Sequence, residues 1–190
     1  MIDKKEKIIQ AAIEVFKEKG IEKTKISDVV KKAEIAQGTF YLYFPSKLSV
    51  MPAIAEKIVV QFIRKIEETV NDEGSLSEQL VQLIDAIFHV TGEFRDVSAL
   101  VYAGLSSTEH MNEWEKIYRP LYELTQGLLD QQKKRELIRA TVDSNRTAKI
   151  VIGLIESAAE QVYLYDAYDA ENEKQQKTEL LTFLEHALRL

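Results

Sequence analysis

Apolar residues recur every three or four positions along most of this chain, the spacing that places them on one face of an α-helix. In the segment 3–19, for example, Ile9, Ala12, Ile13 and Phe16 would form one continuous stripe. No run of alternating β-branched residues, typical of a half-buried strand, occurs in the sequence. The pattern therefore predicts an all-α fold.

Capping and turn residues set the predicted boundaries of three helices near the N-terminus. We expect Asp3 to cap the first helix and Gly20 to end it, because glycine readily adopts the left-handed conformation of a C′ residue. Thr24 is the expected N-cap of a second helix. After a turn at 34–36, a third helix should cover 37–43. Three short helices are thus predicted within the first fifty residues.

A longer helix is expected from 47 to about 70, because Pro45 stops the preceding helix and Ser46 is a strong N-cap. Pro52 lies inside this pattern and predicts either a kink or a late helix start. A turn at 71–75 follows. Further helices are expected at 76–91, 94–107, 110–133, 143–168 and 173–188, with breaks at Thr91 and Gly92, at 106–108 and at 140–141. The chain would then form a small domain, 1–47, joined by a connecting helix to a larger helical domain, 48–190.

Composition excludes several classes of protein. Of the 190 residues 45% are hydrophobic and 29% charged, as in an ordinary globular protein. The chain has no Cys, so disulfides and thiolate metal or redox sites are excluded. No apolar run approaches the roughly 18 residues of a membrane span, and the first residues contain no signal-peptide core. We therefore expect no membrane association and a cytoplasmic location.

Charge is distributed unevenly along the chain. The net charge is −6, but residues 1–50 hold ten Lys against seven Asp or Glu, and the remainder is clearly acidic. A phosphate backbone meets the local charge of a protein, not its overall isoelectric point. The weakly basic N-terminal segment is therefore compatible with DNA binding, although this charge alone would not predict it.

The segment 12–47 carries a dense series of spaced residues. They are Ala12, Phe16, Gly20, Thr24, Ala33, Ile35, Gly38, Thr39, Tyr41, Tyr43, Phe44, Ser46 and Lys47. This series resembles the N-terminal signature of the TetR (tetracycline repressor) family of bacterial transcription factors, Ala-Gly-Val-Ser-x-Gly-Thr-x-Tyr-x-Tyr-Phe followed by Ser-Lys. Two residues depart from this signature: Glu34 stands where it has the turn Gly, and Ala36 stands where it has the usual Ser. The resemblance implies a helix-turn-helix DNA-binding domain followed by a helical domain that binds an effector and forms a homodimer.

The resemblance also assigns DNA contacts within this segment. We expect Phe40 and Phe44 to be core residues that anchor the recognition helix, while its other face meets DNA. The alternative for Tyr41 and Tyr43 is a place in the core, and Thr24 is first of all a helix cap. The residues expected at DNA are Thr24, Lys25, Gln37, Gly38, Thr39, Tyr41, Tyr43 and Lys47.

Two further sites are expected in the acidic domain. Aromatic and aliphatic side chains on its helices are candidates for an effector pocket, although aromatic residues at helical spacing are more often plain core. The pocket candidates are Phe62, Ile66, Ile84, Phe88, Tyr102, Leu105, Trp114, Tyr118, Tyr122 and Tyr163.

Small and apolar residues on the last two helices are candidates for a dimer interface, the alternative being burial within one chain. These are Gly153, Ser157, Ala158, Leu180, Phe183, Leu184 and Ala187.

Polar clusters in the same domain leave alternatives open. His89, His110, Glu109 and Glu113 lack an evident third strong ligand, so we expect no metal site, and nothing indicates a cofactor. Glu156 and Glu160 lie one turn apart on an apolar helix. They could face a cationic ligand, pair with Arg146 and Lys149, or be solvated.

The sequence lacks the usual signs of catalysis. There is no Ser-His-Asp order, no His-Glu-x-x-His and no glycine-rich phosphate loop, so we do not expect an enzyme. We expect a ligand-responsive transcriptional regulator, most simply a repressor that binds a palindromic operator as a homodimer and is released by a small hydrophobic molecule. The alternative is a helical small-molecule-binding protein or enzyme with a vestigial DNA-binding motif. The sequence names neither the effector nor the operator.

Overall fold

Only helices and their connections occur in the computed structural model, which describes residues 3–105, 111–165 and 167–189, with side chains up to 98 and again from 113. The α-helices of these ranges are α1 (Lys4–Lys19), α2 (Ile26–Lys32), α3 (Gln37–Tyr43), α4 (Met51–Thr69), α5 (Leu76–Leu105), α6 (Met111–Lys134), α7 (Ser144–Glu160) and α8 (Ala170–Leu188). A 3₁₀ turn, Leu48–Val50, precedes α4, and a π-helical turn, Gln161–Tyr165, follows α7. The predicted all-α class is confirmed.

The helices form two compact units. The first comprises Met1–Ile58 and Asp96–Ile117, and the second comprises Val59–Arg95 and Tyr118–Leu190. The predicted DNA-binding segment, 1–47, lies entirely in the first unit. The predicted domain boundary between residues 47 and 48 stays a prediction. None of the described helices is both long and apolar enough to cross a bilayer.

The ends of α1 lie where the sequence predicts them. The Asp3 carboxylate accepts a hydrogen bond from the Lys5 N–H at 3.3 Å. At the other end Gly20 has φ of 76° and donates its N–H to the Phe16 carbonyl. Ile9, Ala12, Ile13 and Phe16 are all buried. The stripe predicted for this helix is therefore confirmed.

The predicted cap of α2 is wrong. Lys25, not Thr24, is the N-cap, and the Asp28 carboxylate accepts the Lys25 N–H at 2.9 Å. The Thr24 side chain turns inward instead, where it is 2% exposed and its hydroxyl donates to the Gly20 carbonyl at 2.7 Å. A threonine whose hydroxyl closes the preceding loop does not accept an N–H of the next helix here.

The two alternatives for Pro52 are resolved by the start of α4. A 3₁₀ turn occupies residues 48–50, and α4 begins at Met51, so that Pro52 is its second residue. A proline fits the first turn of a helix because its missing N–H would have no acceptor there. The late helix start is therefore confirmed.

The break predicted at Thr91 and Gly92 is wrong, because α5 continues without interruption through both residues. Glycine inside a helix costs about 1 kcal/mol relative to alanine. Packing explains its presence here, since a Cβ added to Gly92 would lie only 3.1 Å from the Tyr163 ring. The ring occupies the space that a side chain would fill. The break predicted at 106–108 lies outside the described residues.

The last two helices differ from the prediction at their facing ends. The segment 143–168 is helical only to 160 and then widens into the π-helical turn. α8 begins at Ala170, three residues earlier than predicted, because the Asp169 carboxylate accepts the N–H groups of Glu171 and Asn172. The buried residues Ile152 and Ile155 of α7 and Leu184 of α8 lie in the interior of the second unit.

Candidate nucleic-acid interface and effector domain

Two phenylalanines hold the seven-residue helix α3. Phe40 is 1% exposed and Phe44 is 4% exposed, and their ring centroids lie 5.8 Å apart. The Phe44 N–H donates to the Phe40 carbonyl and closes the helix. Helices this short are not stable alone in water, so packing of these rings must fix α3 in place. The prediction that both residues belong to the core is confirmed.

The opposite face of α3 is open to solvent. Gln37 and Gly38 are exposed at its start, and one turn later Tyr41 is 50% exposed and Leu42 81% exposed. Tyr43 is 40% exposed, so neither tyrosine takes the alternative place in the core. Positions i, i+1, i+4 and i+5 share one side of a helix. α3 therefore presents a continuous surface of hydrogen-bonding and apolar side chains.

Leu42 is a candidate contact that the sequence reading missed. It occupies the variable position of the Tyr-x-Tyr-Phe pattern, which assigns it no role. The signal was present in the helical spacing, because Leu42 follows Gly38 by four residues. A largely exposed leucine on this face can contact the thymine methyl, the apolar group that the major groove offers.

Two of the predicted DNA-contact residues have other partners. Thr24 is buried, as described above. The Lys47 ammonium donates to the carbonyls of Ile21, Glu22 and Thr24, at 2.5, 3.3 and 2.9 Å. By contrast Lys25, at the start of α2, is exposed, and Thr39 is partly exposed. The accessible part of the predicted set is thus Lys25, Gln37, Gly38, Thr39, Tyr41 and Tyr43.

Both departures from the family pattern lie at positions with demanding backbone geometry. Glu34 has φ of 55°, a left-handed conformation that glycine adopts without steric cost. Its exposed carboxylate also adds a negative charge at the turn before α3. Ala36 is the N-cap of α3 and provides no side-chain hydrogen bond to it. The sequence therefore departs from the pattern at two positions where the usual residues would fit the geometry better.

Five of the ten predicted pocket residues lie in the interior of the second unit. Phe62, Ile66, Ile84, Phe88 and Tyr118 are each at most 3% exposed. Tyr122 and Tyr163 are partly exposed, and Trp114, also partly exposed, belongs to the first unit. The side chains of Tyr102 and Leu105 lie outside the described residues. Their role as effector contacts stays a prediction for all of these residues.

A carboxyl group lies among these aromatic residues. The Tyr118 hydroxyl donates to Glu156 Oε1 at 2.8 Å. Burial raises the pKa of Glu156 to about 8, which the Tyr118 hydrogen bond opposes and the neighbouring Glu160 supports. Arg146, ten residues earlier on the same helix, pairs with Asp143 at 3.4 Å. Glu156 is partly exposed, and its raised pKa favours the uncharged acid, so neither full solvation nor a charge pair with a cation is favoured.

Lys177 joins α8 to α5 through contacts that the sequence reading missed. Its ammonium lies 3.0 Å from Asp85 and 2.7 Å from Glu173, and 5.1 Å from the centre of the Phe88 ring. The Tyr168 hydroxyl also donates to Glu173, at 3.2 Å. The spacing of Glu173 and Lys177 by four residues was the available signal. Burial and the Glu173 carboxylate raise the pKa of Tyr163 beside this cluster.

The polar cluster for which no metal site is expected can be examined only in part. Among the described residues no three His, Cys, Asp or Glu side chains come together as metal ligands would. His89 Nε2 lies 3.5 Å from Glu93, a neighbour on the same helix. Glu109 and His110 lie outside the described residues.

The predicted dimer residues divide between two faces. Gly153, Ser157 and Ala187 are exposed, and Phe183 is 58% exposed. Ile150, which the prediction omitted, is 60% exposed and lies one turn before Gly153. By contrast Ala158, Leu180 and Leu184 are buried within the chain, so the alternative of burial in one chain applies to these three. The helical period turns them away from the exposed stripe.

Two family models match the chain. The model described as "Bacterial regulatory proteins, tetR family" matches residues 8–57, and "Tetracyclin repressor-like, C-terminal domain" matches residues 80–188. The chain is also 40% identical over 185 residues to the uncharacterized HTH-type transcriptional regulator YvdT of Bacillus subtilis (strain 168), covering 97% of this chain and 95% of that protein. The chain belongs to the TetR family. It is a helix-turn-helix transcriptional regulator, and the alternative of a vestigial motif is not favoured.

Other relatives extend the similarity. The Fatty acid metabolism regulator protein of Bacillus subtilis is 27% identical over 159 residues, covering 76% of this chain and 82% of that protein. The crystal structure of FadR from Bacillus subtilis in complex with stearoyl-CoA has a TM-score of 0.77 at 23% identity, covering 94% of this chain and 96% of that one. GusR from Salmonella enterica has a TM-score of 0.78 at 21% identity, with 97% and 95% covered. TetR-family regulators bind DNA and small-molecule effectors and are typically dimeric.

Replacing Glu34 by glycine should relieve the left-handed strain before α3. We expect Glu34→Gly to raise the free energy of unfolding by about 0.5–1 kcal/mol, after subtracting the larger entropy loss of glycine. It should also tighten binding to the DNA upstream of the chain's own gene, because a negative charge is lost there. Urea denaturation and fluorescence anisotropy measure the two effects.

Glu136→Gly is the matched control for this prediction. Glu136 has φ of 59° and lies in the turn that follows α6, in the second unit. It should give the same gain in stability and leave DNA affinity unchanged. An equal effect of both variants on DNA affinity, or a loss of stability in Glu34→Gly, would contradict the account.

Proposed function

We propose that this regulator is a ligand-responsive repressor that binds a palindromic operator as a homodimer and is released by a small hydrophobic molecule. The observation that carries the proposal is α3, whose buried Phe40 and Phe44 leave a solvent-exposed face of polar and apolar side chains. A recognition helix requires this division, because it must be held on one side and read base edges on the other.

Each exposed residue of α3 supplies a defined type of contact. Gln37 can make paired hydrogen bonds to an adenine edge, and Leu42 can contact a thymine methyl. The Thr39 hydroxyl and the Tyr41 and Tyr43 hydroxyls are suited to phosphate oxygens and base edges. The expected reading surface is therefore short and mixed, with thymine and adenine among its targets.

The charge of the first fifty residues supports nonspecific attraction to DNA. Lys25 is an exposed cation at the start of α2, next in sequence to the buried Thr24. Each Lys that neutralises a phosphate releases counterions and makes binding salt-dependent. We propose Lys25 as a phosphate contact that holds α3 in register.

The exposed stripe on α7 and α8 supports a homodimer. The exposed stripe of α7 consists of small and apolar residues, namely Ile150, Gly153 and Ser157. On α8, which packs against α7, the Phe183 side chain is exposed. A small residue lets another helix approach closely, and a twofold axis makes one such stripe self-complementary. Two copies would then present two α3 helices to half-sites about one helical turn apart.

The apolar interior of the second unit supports a hydrophobic effector. Its interior consists mainly of buried aromatic and aliphatic side chains, and Glu156 and a few buried hydroxyl and amide groups, such as those of Thr91, Thr125 and Gln132, are the polar exceptions. A fatty-acyl thioester is the first candidate, because a 27% identical relative is named a fatty acid metabolism regulator and a neighbour of the same fold was solved with stearoyl-CoA. Such a ligand must bind the DNA-free state more tightly, by about 1.4 kcal/mol for each tenfold loss of operator affinity.

Operator binding tests the proposal directly. The chain should bind the DNA upstream of its own gene more tightly than a scrambled duplex of the same composition, and added stearoyl-CoA should release it. Anisotropy titrations at several KCl concentrations measure both effects. The double variant Thr39→Ala with Tyr41→Ala should stay folded, by circular dichroism, and lose the preference. Equal affinity of the wild-type chain for both duplexes would overturn the proposal.

Gly153→Leu should prevent dimer formation. Apart from its chain neighbours and the backbone of its own helix, no heavy atom of the described residues lies within 4 Å of a Cβ added at Gly153, so a leucine is tolerated within the protomer but would hold a second copy away. We expect a monomer in sedimentation velocity and, as a consequence, at least about tenfold weaker operator binding at fixed protein concentration.

Gly127→Leu is the control for the dimer experiment. Gly127 is also exposed, lies within α6, and has the same free space around an added Cβ. This variant should sediment as the wild-type chain does. If Gly153→Leu remains a dimer, the interface proposed on α7 is wrong.

A further inference from the structure

Lys47 is placed where the family pattern suggests a phosphate contact, but its ammonium faces the loop between α1 and α2. The three carbonyls that it reaches belong to Ile21, Glu22 and Thr24, which are 23 to 26 residues earlier in the chain. The side chain is only partly exposed. One cation thus collects three backbone acceptors of a single loop.

The number of donors decides what this ammonium can do. A lysine ammonium has three N–H groups and no acceptor. All three directions are used by carbonyls at 2.5, 3.3 and 2.9 Å. A direct hydrogen bond to a phosphate would require the side chain to leave at least one of them. Hydrogen bonds from a charged donor are among the stronger ones in proteins, so this exchange has a cost.

The loop that Lys47 holds leads directly into α2. Thr24 is fixed from the other side by its own hydroxyl, which donates to Gly20. The next residue, Lys25, donates its N–H to Asp28, and Asp28 also binds Lys19 at 2.8 Å. Lys47 therefore joins the segment before α4 to the start of α2, where the exposed Lys25 is the N-cap.

We propose that Lys47 is a positioning residue, which fixes the α1–α2 loop and through it Lys25, and does not act as a phosphate ligand. The inference rests on the proposed DNA-binding function of Lys25. It adds that the two lysines, 22 residues apart in sequence, contribute to operator binding by different means: Lys25 by charge and Lys47 by geometry.

Salt dependence separates the two roles. Replacing a phosphate-binding lysine lowers the slope of log affinity against log salt by about 0.9. Lys25→Met should show this loss. Lys47→Met should weaken operator binding by a similar factor but keep the wild-type slope. Without DNA, the amide hydrogens of Thr24 and Lys25 should exchange on the order of tenfold faster in Lys47→Met than in the wild-type chain, because the loop loses its charged donor.

Lys47→Arg provides the second variant in case Lys47→Met does not fold. A planar guanidinium cannot direct its donors at three converging carbonyls as a compact ammonium does, although it binds phosphate well. We expect Lys47→Arg to keep the salt slope, weaken binding and speed the same two amides. The proposal would be overturned if Lys47→Arg bound the operator as tightly as the wild-type chain does and its two amides exchanged at the wild-type rate. It would also be overturned if Lys47→Met lowered the salt slope as Lys25→Met does.

The exchange experiment needs no DNA, so it tests Lys47 separately from operator binding. If the wild-type chain fails to prefer its upstream DNA, the proposed function fails while the amide rates still report on the loop. If the wild-type chain binds selectively and both amides exchange equally in wild type and Lys47→Met, the positioning role alone is wrong.

Discussion

The burial of Phe40 and Phe44 is the constraint on which the functional surface depends. α3 has seven residues, too few to hold a helix in water by its own hydrogen bonds. The two rings provide the packing that it lacks, and the helical period then decides which residues face outward. Tyr41 and Leu42 are exposed because their neighbour Phe40 is not. One buried pair thus fixes both the orientation of the helix and the composition of the surface that it offers to DNA.

The sequence predicted those features that depend on neighbours along the chain. The ends of α1 and the extent of α3 follow from local caps, turns and spacing. It failed at Gly92, which does not break α5 because the Tyr163 ring packs on it. A reading of local sequence has no access to a contact made 71 residues away. At Thr24 it failed between two local alternatives, because the hydroxyl donates to the Gly20 carbonyl and does not cap α2.

The second unit combines an apolar interior with a few polar groups that have specific partners. Glu156 accepts a hydrogen bond from Tyr118, and Lys177 bridges Asp85 and Glu173. Unpaired charges would be costly in such surroundings, and accordingly the Lys177 ammonium is paired and the pKa of Glu156 is displaced. The periodicity of apolar residues predicted this interior as a whole. It could not predict which residues contact an effector, because that depends on space between helices and not on their hydrophobic faces.

Binding to DNA without thymine methyl groups tests most directly whether the exposed face of α3 reads the major groove. The wild-type chain should bind its upstream DNA about fourfold more weakly for each contacted methyl when uracil replaces thymine, from about 0.8 kcal/mol per buried carbon. Leu42→Ala should reduce this difference, whereas Val60→Ala, at an exposed apolar position of α4, should retain it. The same uracil effect in the wild-type chain and in Leu42→Ala would contradict the assignment of this face as the reading surface.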